Sequence, residues 1–429
     1  MLDKSFWKIY EELYSIIKDM YVIDIHNHLN PERLSPQSYE DIIFYHYIVT
    51  ELVSAGMSFN RLEGLSGADK FKAVLPYIRY IRNTTTYSAL IWMLRDLYGF
   101  DGKYIDEKNW RSVMKLIEEK VGDESRAIDI LKNRVRVRKS FLTLSPLEKV
   151  PKYDRELFTG ALRVDPLITN ISPQNLAEFE NMVGIEINKP DNIDEGLSNL
   201  FKYFKNHIVT VALGVNSDEV FLSKMVSKSE VYPYLLTLKK GLCLDNTGKN
   251  IFAAYVLNKV LEYCREYNLV FQLMIGVKRP VPGASYPDYA IIIFNPQQLL
   301  DISMLLSRYH DVKFDLIYAD SLLNHPITVI AKNYSNAYVD GYWWYSMYPE
   351  IIRRYIRLRL QMLPYNKIGG FFSDAYVSDW VYGKALIIKK QIAYVLSQLI
   401  FEKYIDKDFA FDIAKALLSE NAGKMYGIT

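Results

Sequence analysis

The chain has 429 residues, a formal net charge of +2, six histidines and two cysteines. The near balance of charge disfavours a nucleic-acid partner, and two cysteines exclude both a disulfide scaffold and a cysteine-rich zinc module. No apolar run approaches the roughly 18 residues that a membrane-spanning helix needs. The first residues mix charged and apolar side chains as in an amphipathic helix rather than a signal peptide. We therefore expect a cytoplasmic protein without a membrane partner.

A helix and a strand open the chain, and a long helical stretch follows them. Residues 3–18 have the apolar period of a helix, and residues 21–28 form an apolar segment with a polar end, which is typical of a buried strand. Five helical patterns follow, near residues 38–55, 68–81, 85–98, 107–120 and 124–135. We therefore predict a helical insertion subdomain over residues 30–138.

From residue 139 onward, strand-like and helix-like segments alternate. The predicted strands are 140–144, 160–164, 208–213, 269–276, 312–318, 337–339 and 368–372. Helical patterns lie between most of them, for example at 194–205, 249–266, 296–309 and 348–362, and terminal helices follow at 381–402 and 407–420. Together with the first strand, this alternation predicts an α/β fold in which residues 1–29 and 139–429 form one (β/α)8 TIM barrel.

Two of the six histidines, His26 and His28, stand two residues apart at the end of the first predicted strand. Side chains at i and i+2 of a strand point to the same face, so both imidazoles can reach one metal ion. The carboxyl ends of the strands are also where barrels carry their active sites. The alternative is a pair of surface histidines at a strand end.

A third candidate ligand, Asp374, follows the last predicted strand. The last strand of a closed barrel lies beside the first, and a catalytic metal commonly has three protein ligands and an open position. We therefore predict that His26, His28 and Asp374 bind one divalent metal. Two imidazoles and a carboxylate suit zinc, which we predict, and also manganese or iron. The alternative for Asp374 is to cap the following helix.

Several short motifs connect the chain with a known family. They are DIHNHL at 24–29, YHYIVTELVSAG at 45–56, FQLMIGVKR at 271–279, DGYWWY at 340–345, SDAY at 373–376 and ENAGKMY at 420–426. The His-x-His pair with an Asp after the last strand, together with the ENAGKMY motif, resembles the amidohydrolase superfamily. Within it, the other motifs are most similar to uronate (glucuronate) isomerase. The resemblance implies a barrel of the metal-dependent hydrolase type. It also implies an aldose–ketose isomerase that acts on a hexuronate, glucuronate or galacturonate.

The resemblance also implies roles for individual residues. Moving a proton between C2 and C1 needs a base and a donor to the substrate oxygen; these roles fall on Asp374, or a water beside it, and on Tyr47. A planar guanidinium group can bind the substrate carboxylate through two hydrogen bonds. The resemblance implies that Arg163 or Arg279 has this role. The further implied substrate contacts are Trp343, Trp344, Tyr376 and Lys278.

Two positions depart from the family pattern. Met274 stands where the family has a histidine on the fifth strand, and Tyr376 stands where it has an arginine after the eighth strand. A thioether cannot move a proton, and a phenol does not replace a carboxylate clamp. Either the substrate differs, or a neighbour such as Lys278 compensates, or the isomerase activity has been lost.

Each of these residues also has a structural interpretation. Arg163 can form an ion pair with Asp165, Lys278 and Arg279 can lie in a solvated loop, and the two tryptophans can be core aromatics. We expect the remaining four histidines to be structural, namely His46, His207, His310 and His325. His325 is the most ambiguous of them because it follows the sixth strand.

The same three ligands would also serve a second chemistry. A mononuclear metal-dependent hydrolase of a lactone, amide or ester needs an activated water and an acid for the leaving group. A third hypothesis is a barrel that binds a metal or a sugar acid without catalysing a reaction. A small-molecule sugar acid is the expected partner, and homo-oligomerisation is left open.

Overall fold

A curled sheet forms the centre of the molecule in the computed structural model, which describes residues 4–428. Its strands are β1 (Val22–Asn27), β2 (Val137–Leu144), β3 (Phe158–Arg163), β4 (Ile208–Asn216), β5 (Val270–Lys278), β6 (Ile291–Ile292), β7 (Phe314–Tyr318) and β8 (Ala337–Val339). The parallel order is β1-β2-β3-β4-β5-β7-β8, and the short β6 pairs antiparallel with β5. Sequential order in a parallel sheet is the arrangement of a (β/α) barrel.

The segment predicted as the eighth barrel strand, 368–372, lies between β8 and β1 as extended chain without a regular ladder. On one side, the Gly369 N–H donates to the Val339 carbonyl at 2.9 Å; on the other, the Asp374 N–H donates to the His26 carbonyl at 3.1 Å. A side chain at residue 369 would collide with the carboxylate of Asp340, so the chain needs glycine there. These bonds bring the last segment beside the first strand, as the barrel fold requires.

The chain between β1 and β2 is helical, as expected for residues 30–138. The helices in this region, with α1 before β1, are α1 (Lys4–Ile17), α2 (Glu40–Ile43), α3 (His46–Ser54), α4 (Gly67–Ile78), α5 (Thr85–Tyr98), α6 (Trp110–Glu118) and α7 (Glu124–Asp129). The pattern at 38–55 forms two helices rather than one, and the pattern at 124–135 ends in a π-helical segment, Ile130–Val135. The division into a barrel and an insertion subdomain stays a prediction.

The remaining helices connect the strands and close the chain. They are α8 (Pro173–Val183), α9 (Pro190–Phe204), α10 (Lys228–Lys239), α11 (Asn246–Glu266), α12 (Pro296–Arg308), α13 (Asn324–Asn333), α14 (Pro349–Met362), α15 (Ser378–Phe401), α16 (Lys407–Lys415) and α17 (Asn421–Tyr426). The start and end of α8 follow from its sequence, because Ser172 caps its N-terminus and Gly184 ends it in the left-handed region.

Two features place the core between the sheet and the helices. Strands β5 and β7 are buried along almost their whole length, which is typical of parallel sheets covered on both faces. Helix α15 is buried nearly all round and packs against α1, α5 and α14. It therefore joins the helices that follow β1 to the barrel. Among the described residues, no helix combines the length and the apolar character needed to cross a bilayer.

Candidate active site

A cavity of about 440 Å³ lies at the carboxyl ends of the strands. Its lining includes the residues that sequence analysis assigned to the metal, Tyr47, both predicted arginines and both tryptophans. It is lined by His26, His28, His46, Tyr47, Thr143, Arg163, Asp165, Pro166, Asn170, Arg279, Pro287, Asp288, Trp343, Trp344, Asp374 and Tyr376. Residues that are far apart in the chain thus meet at the end of the barrel where catalytic groups are expected.

The carboxylate of Asp374 lies beside both imidazoles. Its Oδ1 is 3.3 Å from Nε2 of His28 and 3.9 Å from Nε2 of His26. One donor atom from each residue falls within 4.8 Å of the others, so the three could hold one metal ion. Asp374 has φ +53°, in the left-handed region that aspartate tolerates better than most residues. This backbone turn takes the chain from the last extended segment toward α15.

The surroundings of His26 fit a metal. Its side chain is 1% exposed, and neither ring nitrogen has a hydrogen-bond partner among the described residues. Burial, with the nearby His28 and Arg163, lowers its pKa well below the usual value, so the imidazole is neutral. A neutral, buried and unpaired imidazole is the state that ligates a divalent cation.

Charge on Asp374 is also stabilised at this position. Burial opposes its ionisation, but the hydrogen bond and the electrostatic interaction with His28 hold its pKa below the usual value. Asp374 therefore stays a carboxylate, the form that a metal and a general base both require.

A buried carboxylate behind the ligands fixes their backbone. Asp24 on β1 accepts hydrogen bonds from the Ser373 N–H at 2.9 Å and from the Ser373 hydroxyl at 2.6 Å. Asn27 donates both to Asp24, at 3.2 Å, and to the Ser140 hydroxyl on β2, at 2.7 Å. Burial raises the pKa of Asp24 to about 7 in spite of these bonds. The DIHN portion of the motif thus joins the last segment, β1 and β2 directly below the imidazoles.

Two tyrosines from the region after β1 approach Asp374. The Tyr47 hydroxyl donates to Asp374 Oδ2 at 2.7 Å, and the Tyr45 hydroxyl donates to the Asp374 backbone carbonyl at 3.0 Å. Tyr47 was expected to donate to a substrate oxygen, and in the structure its hydroxyl is directed to Asp374. Helix α3, with Tyr45 just before it and Tyr47 in its first turn, therefore contributes to this site although it lies outside the barrel strands.

The two predicted arginines differ in their pairing. Arg163 forms a two-point ion pair with Asp165, with Nε–Oδ2 at 2.7 Å and Nη2–Oδ1 at 2.9 Å. Arg279 lies over the Trp344 ring at 5.1 Å, and no ion pair to it occurs among the described residues. Both line the cavity, and Arg279 carries the less compensated positive charge.

Lys278 lies apart from this group. Its ammonium is 2.8 Å from the carboxylate of Asp218, and it is not among the residues that line the described cavity. Lys278 is the last residue of β5, and Arg279, which follows the strand, lines the cavity instead. We therefore leave Lys278 out of the substrate contacts proposed below.

The positions that depart from the family pattern have different surroundings. Met274 is fully buried within β5 and is not among the cavity-lining residues. Tyr376 lines the cavity, and its ring stacks on His28 with centroids 4.9 Å apart. Met274 therefore supports packing, whereas Tyr376 is part of the wall.

Several cavity residues were not predicted from the sequence. Asp288, in the irregular chain after β5, accepts a hydrogen bond from the Tyr345 hydroxyl at 3.3 Å, and burial raises its pKa. No local pattern pointed to it. His46, expected to be structural, lines the cavity beside Tyr47, and burial lowers its pKa to about 4. His310 and His325 are exposed, and His207 contacts Arg155 at 3.3 Å.

Comparison with known proteins identifies the family. The family model of glucuronate isomerase matches residues 4–286, about two thirds of the chain. The chain belongs to the glucuronate isomerase family. It is accordingly an isomerase of hexuronates, and the resemblance drawn from the short motifs is confirmed. No curated protein matches the chain.

Solved structures of glucuronate isomerases have the same fold. The chain is similar to uronate isomerase from Thermotoga maritima, with 16% identity, a TM-score of 0.87, and coverage of 99% of this chain and 100% of that chain. It is similar to glucuronate isomerase from Caulobacter crescentus, with 16% identity, a TM-score of 0.87, and coverage of 100% and 95%. It also resembles uronate isomerase from Bacillus halodurans, with 19% identity, a TM-score of 0.80, and coverage of 100% and 98%. The predicted fold class is thereby confirmed.

Proposed function

We propose that this glucuronate isomerase converts a hexuronate aldehyde into its keto isomer in the cavity around Asp374. One observation carries the assignment of the site. The two oxygens of Asp374 face different partners, Oδ1 the imidazole pair and Oδ2 the Tyr47 hydroxyl, within a cavity that also contains two guanidinium groups. The site thus combines a candidate base, a hydroxyl proton and positive charge for a sugar acid.

His26, His28 and Asp374 would hold one divalent metal, for which we propose zinc, with manganese or iron as alternatives. When bound, the metal would supply positive charge that stabilises negative charge developing on the substrate oxygens. The orphaned ring nitrogens of the buried His26 support this assignment.

Asp374 is the proposed carrier of the proton between the two carbons. Its carboxylate takes the proton from C2 and returns it to C1, while the bond order moves from C1–O1 to C2–O2. Tyr47 holds Oδ2 of Asp374 in place through a hydrogen bond of 2.7 Å. We propose that the Tyr47 hydroxyl also donates its proton to O1 of the substrate and takes a proton back from O2. The net change is one hydrogen moved from C2 to C1 and one moved from O2 to O1, with no oxidant or reductant consumed.

The substrate carboxylate would be bound by Arg279, with Arg163 beside it. Arg163 already shares its guanidinium with Asp165, so less of its charge is available to a ligand. Trp343 and Trp344 would form an apolar wall, and the Tyr376 ring would pack against the sugar chain. These contacts place positive charge and aromatic surface around one end of an extended sugar acid.

Incubation with glucuronate and galacturonate in deuterated water, followed by NMR, tests the proposal. Protein loaded in turn with zinc, manganese and iron should form the keto acids, and deuterium at C1 of the ketose would report a proton that exchanges with solvent. An absence of ketose from both sugars with all three metals would overturn the proposal and direct the search to lactone, amide and ester hydrolysis.

Three finer expectations stand beside this proposal. Cytoplasmic localisation is supported by two cysteines that form no disulfide with each other, one exposed and one buried. Zinc is supported by the chemistry of the donor set. A homo-oligomer stays a prediction, which sedimentation of the metal-loaded protein would test.

A further inference from the structure

A second cavity, of about 470 Å³, adjoins the proposed active site. Two residues, His46 and Tyr376, line both cavities. Pockets that bind small molecules have volumes of roughly 300–1,000 Å³, and the active-site cavity, at about 440 Å³, is already within this range. The second cavity is therefore surplus to the binding of a single hexuronate.

Aromatic side chains form much of the second cavity. Phe44, Tyr45, Tyr286 and Tyr376 all line it. Tyr376 is 51% exposed although its ring stacks on His28. Aromatic rings offer an apolar face with a polar edge, which suits the C–H face and the hydroxyl rim of a sugar ring. This surface lies next to the site where the reacting sugar would be held.

The charged groups of the second cavity select against an anion. Three carboxylates line it, from Glu40, Asp41 and Glu63, with one ammonium, from Lys70. Lys70 is already paired with Glu40, and the exposed Glu63 has no ion pair among the described residues. Carboxylates accept hydrogen bonds from hydroxyls and repel other carboxylates. The occupant that fits is therefore rich in hydroxyls and carries no negative charge.

We propose that the second cavity binds a neutral sugar residue joined by a glycosidic bond to the reacting uronate. The proposal rests on the proposed function. C1 and C2 of the uronate must be free for the proton transfer, and its C6 carboxylate is held by the arginines. The bond therefore joins O3 or O4 to the neutral sugar, and the enzyme isomerises the reducing-end uronate of a short oligosaccharide. The isomerisation itself is unchanged, and no glycosidic bond breaks.

Steady-state kinetics with three substrates test this inference in the metal-loaded protein. The substrates are free glucuronate, a disaccharide with glucose linked to O4 of reducing-end glucuronate, and a disaccharide of two glucuronates linked in the same way. We expect kcat/KM for the neutral disaccharide to exceed that for free glucuronate about tenfold, which corresponds to about 1.4 kcal/mol of added binding. The doubly acidic disaccharide should fall at least tenfold below the neutral one.

A charge reversal at Glu63 isolates the second cavity. In Glu63→Arg, the preference for the neutral over the doubly acidic disaccharide should fall at least tenfold, while kcat/KM for free glucuronate stays within twofold. Glu11→Gln, an exposed glutamate on α1, is the control and should leave all three values unchanged. Turnover of free glucuronate without turnover of the neutral disaccharide would overturn the inference and leave the proposed function intact.

Calorimetric titration covers the case in which no uronate is isomerised. The proposed function would then have failed, and sugar binding in the second cavity is tested by affinity alone. Tighter binding of the neutral disaccharide than of glucuronate, with this gain lost when Tyr286→Ala is introduced, supports the second cavity as a sugar site. Equal binding of the two sugars overturns it.

Discussion

The hydroxyl of Tyr47 donates to Oδ2 of Asp374 at 2.7 Å, across a separation of 327 residues. The other oxygen of the same carboxylate faces the imidazole pair. The bond therefore fixes the rotation of the carboxylate and decides which oxygen is turned to which partner. Helix α3, outside the barrel strands, thus orients a side chain that belongs to the barrel.

Removing this hydroxyl should impair turnover more than folding. We expect Tyr47→Phe to lower kcat about 10- to 100-fold, because a hydrogen bond to a charged group contributes about 1.5–3 kcal/mol. Tyr45→Phe is the matched control, since the Tyr45 hydroxyl donates to a backbone carbonyl of Asp374 instead, and its kcat should fall less than fivefold. Equal losses in both variants would contradict an orienting role for Tyr47.

Asp374→Asn should remove both metal and activity. The amide keeps the shape of the side chain but loses the charge that a divalent ligand set needs. We expect the metal content after gel filtration, measured by mass spectrometry, to drop below half of the wild-type value, and turnover to fall at least 100-fold. Asp311→Asn changes an exposed carboxylate that pairs with Arg265 and should retain both. Unchanged metal and activity in Asp374→Asn would mean that the site has been misplaced.

The neighbours Arg279 and Lys278 offer a test of which cation binds the substrate carboxylate. We expect Arg279→Gln to raise KM for glucuronate about 10- to 100-fold, because the charge-assisted contact between the guanidinium and the substrate carboxylate is lost. Lys278→Gln removes a positive charge from the preceding residue, whose ammonium pairs with Asp218. The KM of this variant for glucuronate should change less than threefold. The reverse order of effects would assign the carboxylate to Lys278.

The stability of the protein should depend on pH through Glu51 on α3. Burial raises its pKa to about 7, although the Thr84 and Thr86 hydroxyls stabilise its charge. Between pH ~4.5 and 7 the native state keeps a proton that the unfolded chain has released, so the free energy of unfolding falls as pH rises, by roughly 3 kcal/mol at most.

Urea unfolding of wild type and Glu51→Gln at pH 5 and pH 7.5 measures this contribution. The variant should become more stable relative to wild type on going from pH 5 to pH 7.5, since its amide carries no titrating proton. Glu148→Gln, an exposed glutamate, should follow the wild-type curve at both values. A stability difference that is independent of pH would show that Glu51 titrates normally in the folded protein.

The fold could be predicted because its pattern is local. Most of the buried strands are short apolar runs, with helical patterns between many of them, and seven of eight predicted barrel strands are strands in the structure. Segment 368–372 also reads as a strand, but Gly369 leaves room for the Asp340 carboxylate and Asp374 turns into the left-handed region. These constraints come from tertiary contacts, which the apolar pattern of a sequence does not predict.

The site could be predicted only where a motif marked it. His26 and His28 share a strand face, and the position of Asp374 follows from barrel closure. Asp288 gave no signal because it lies in irregular chain, where side-chain direction has no period. Lys278 was predicted as a substrate contact that could compensate for Met274 and Tyr376, but its ammonium pairs with Asp218 and it does not line the described cavity.

The bonds between the last segment and β1 also set the order of events during synthesis. The two imidazoles are synthesised before strands β2 to β8, but the carboxylate beside them follows only after all of these strands have been made. Until then β1 lacks its neighbour at the seam, and Asp24 lacks the hydroxyl of Ser373. Completion of the ligand set and closure of the barrel are therefore one event, and a chain that stops before residue 374 can have neither.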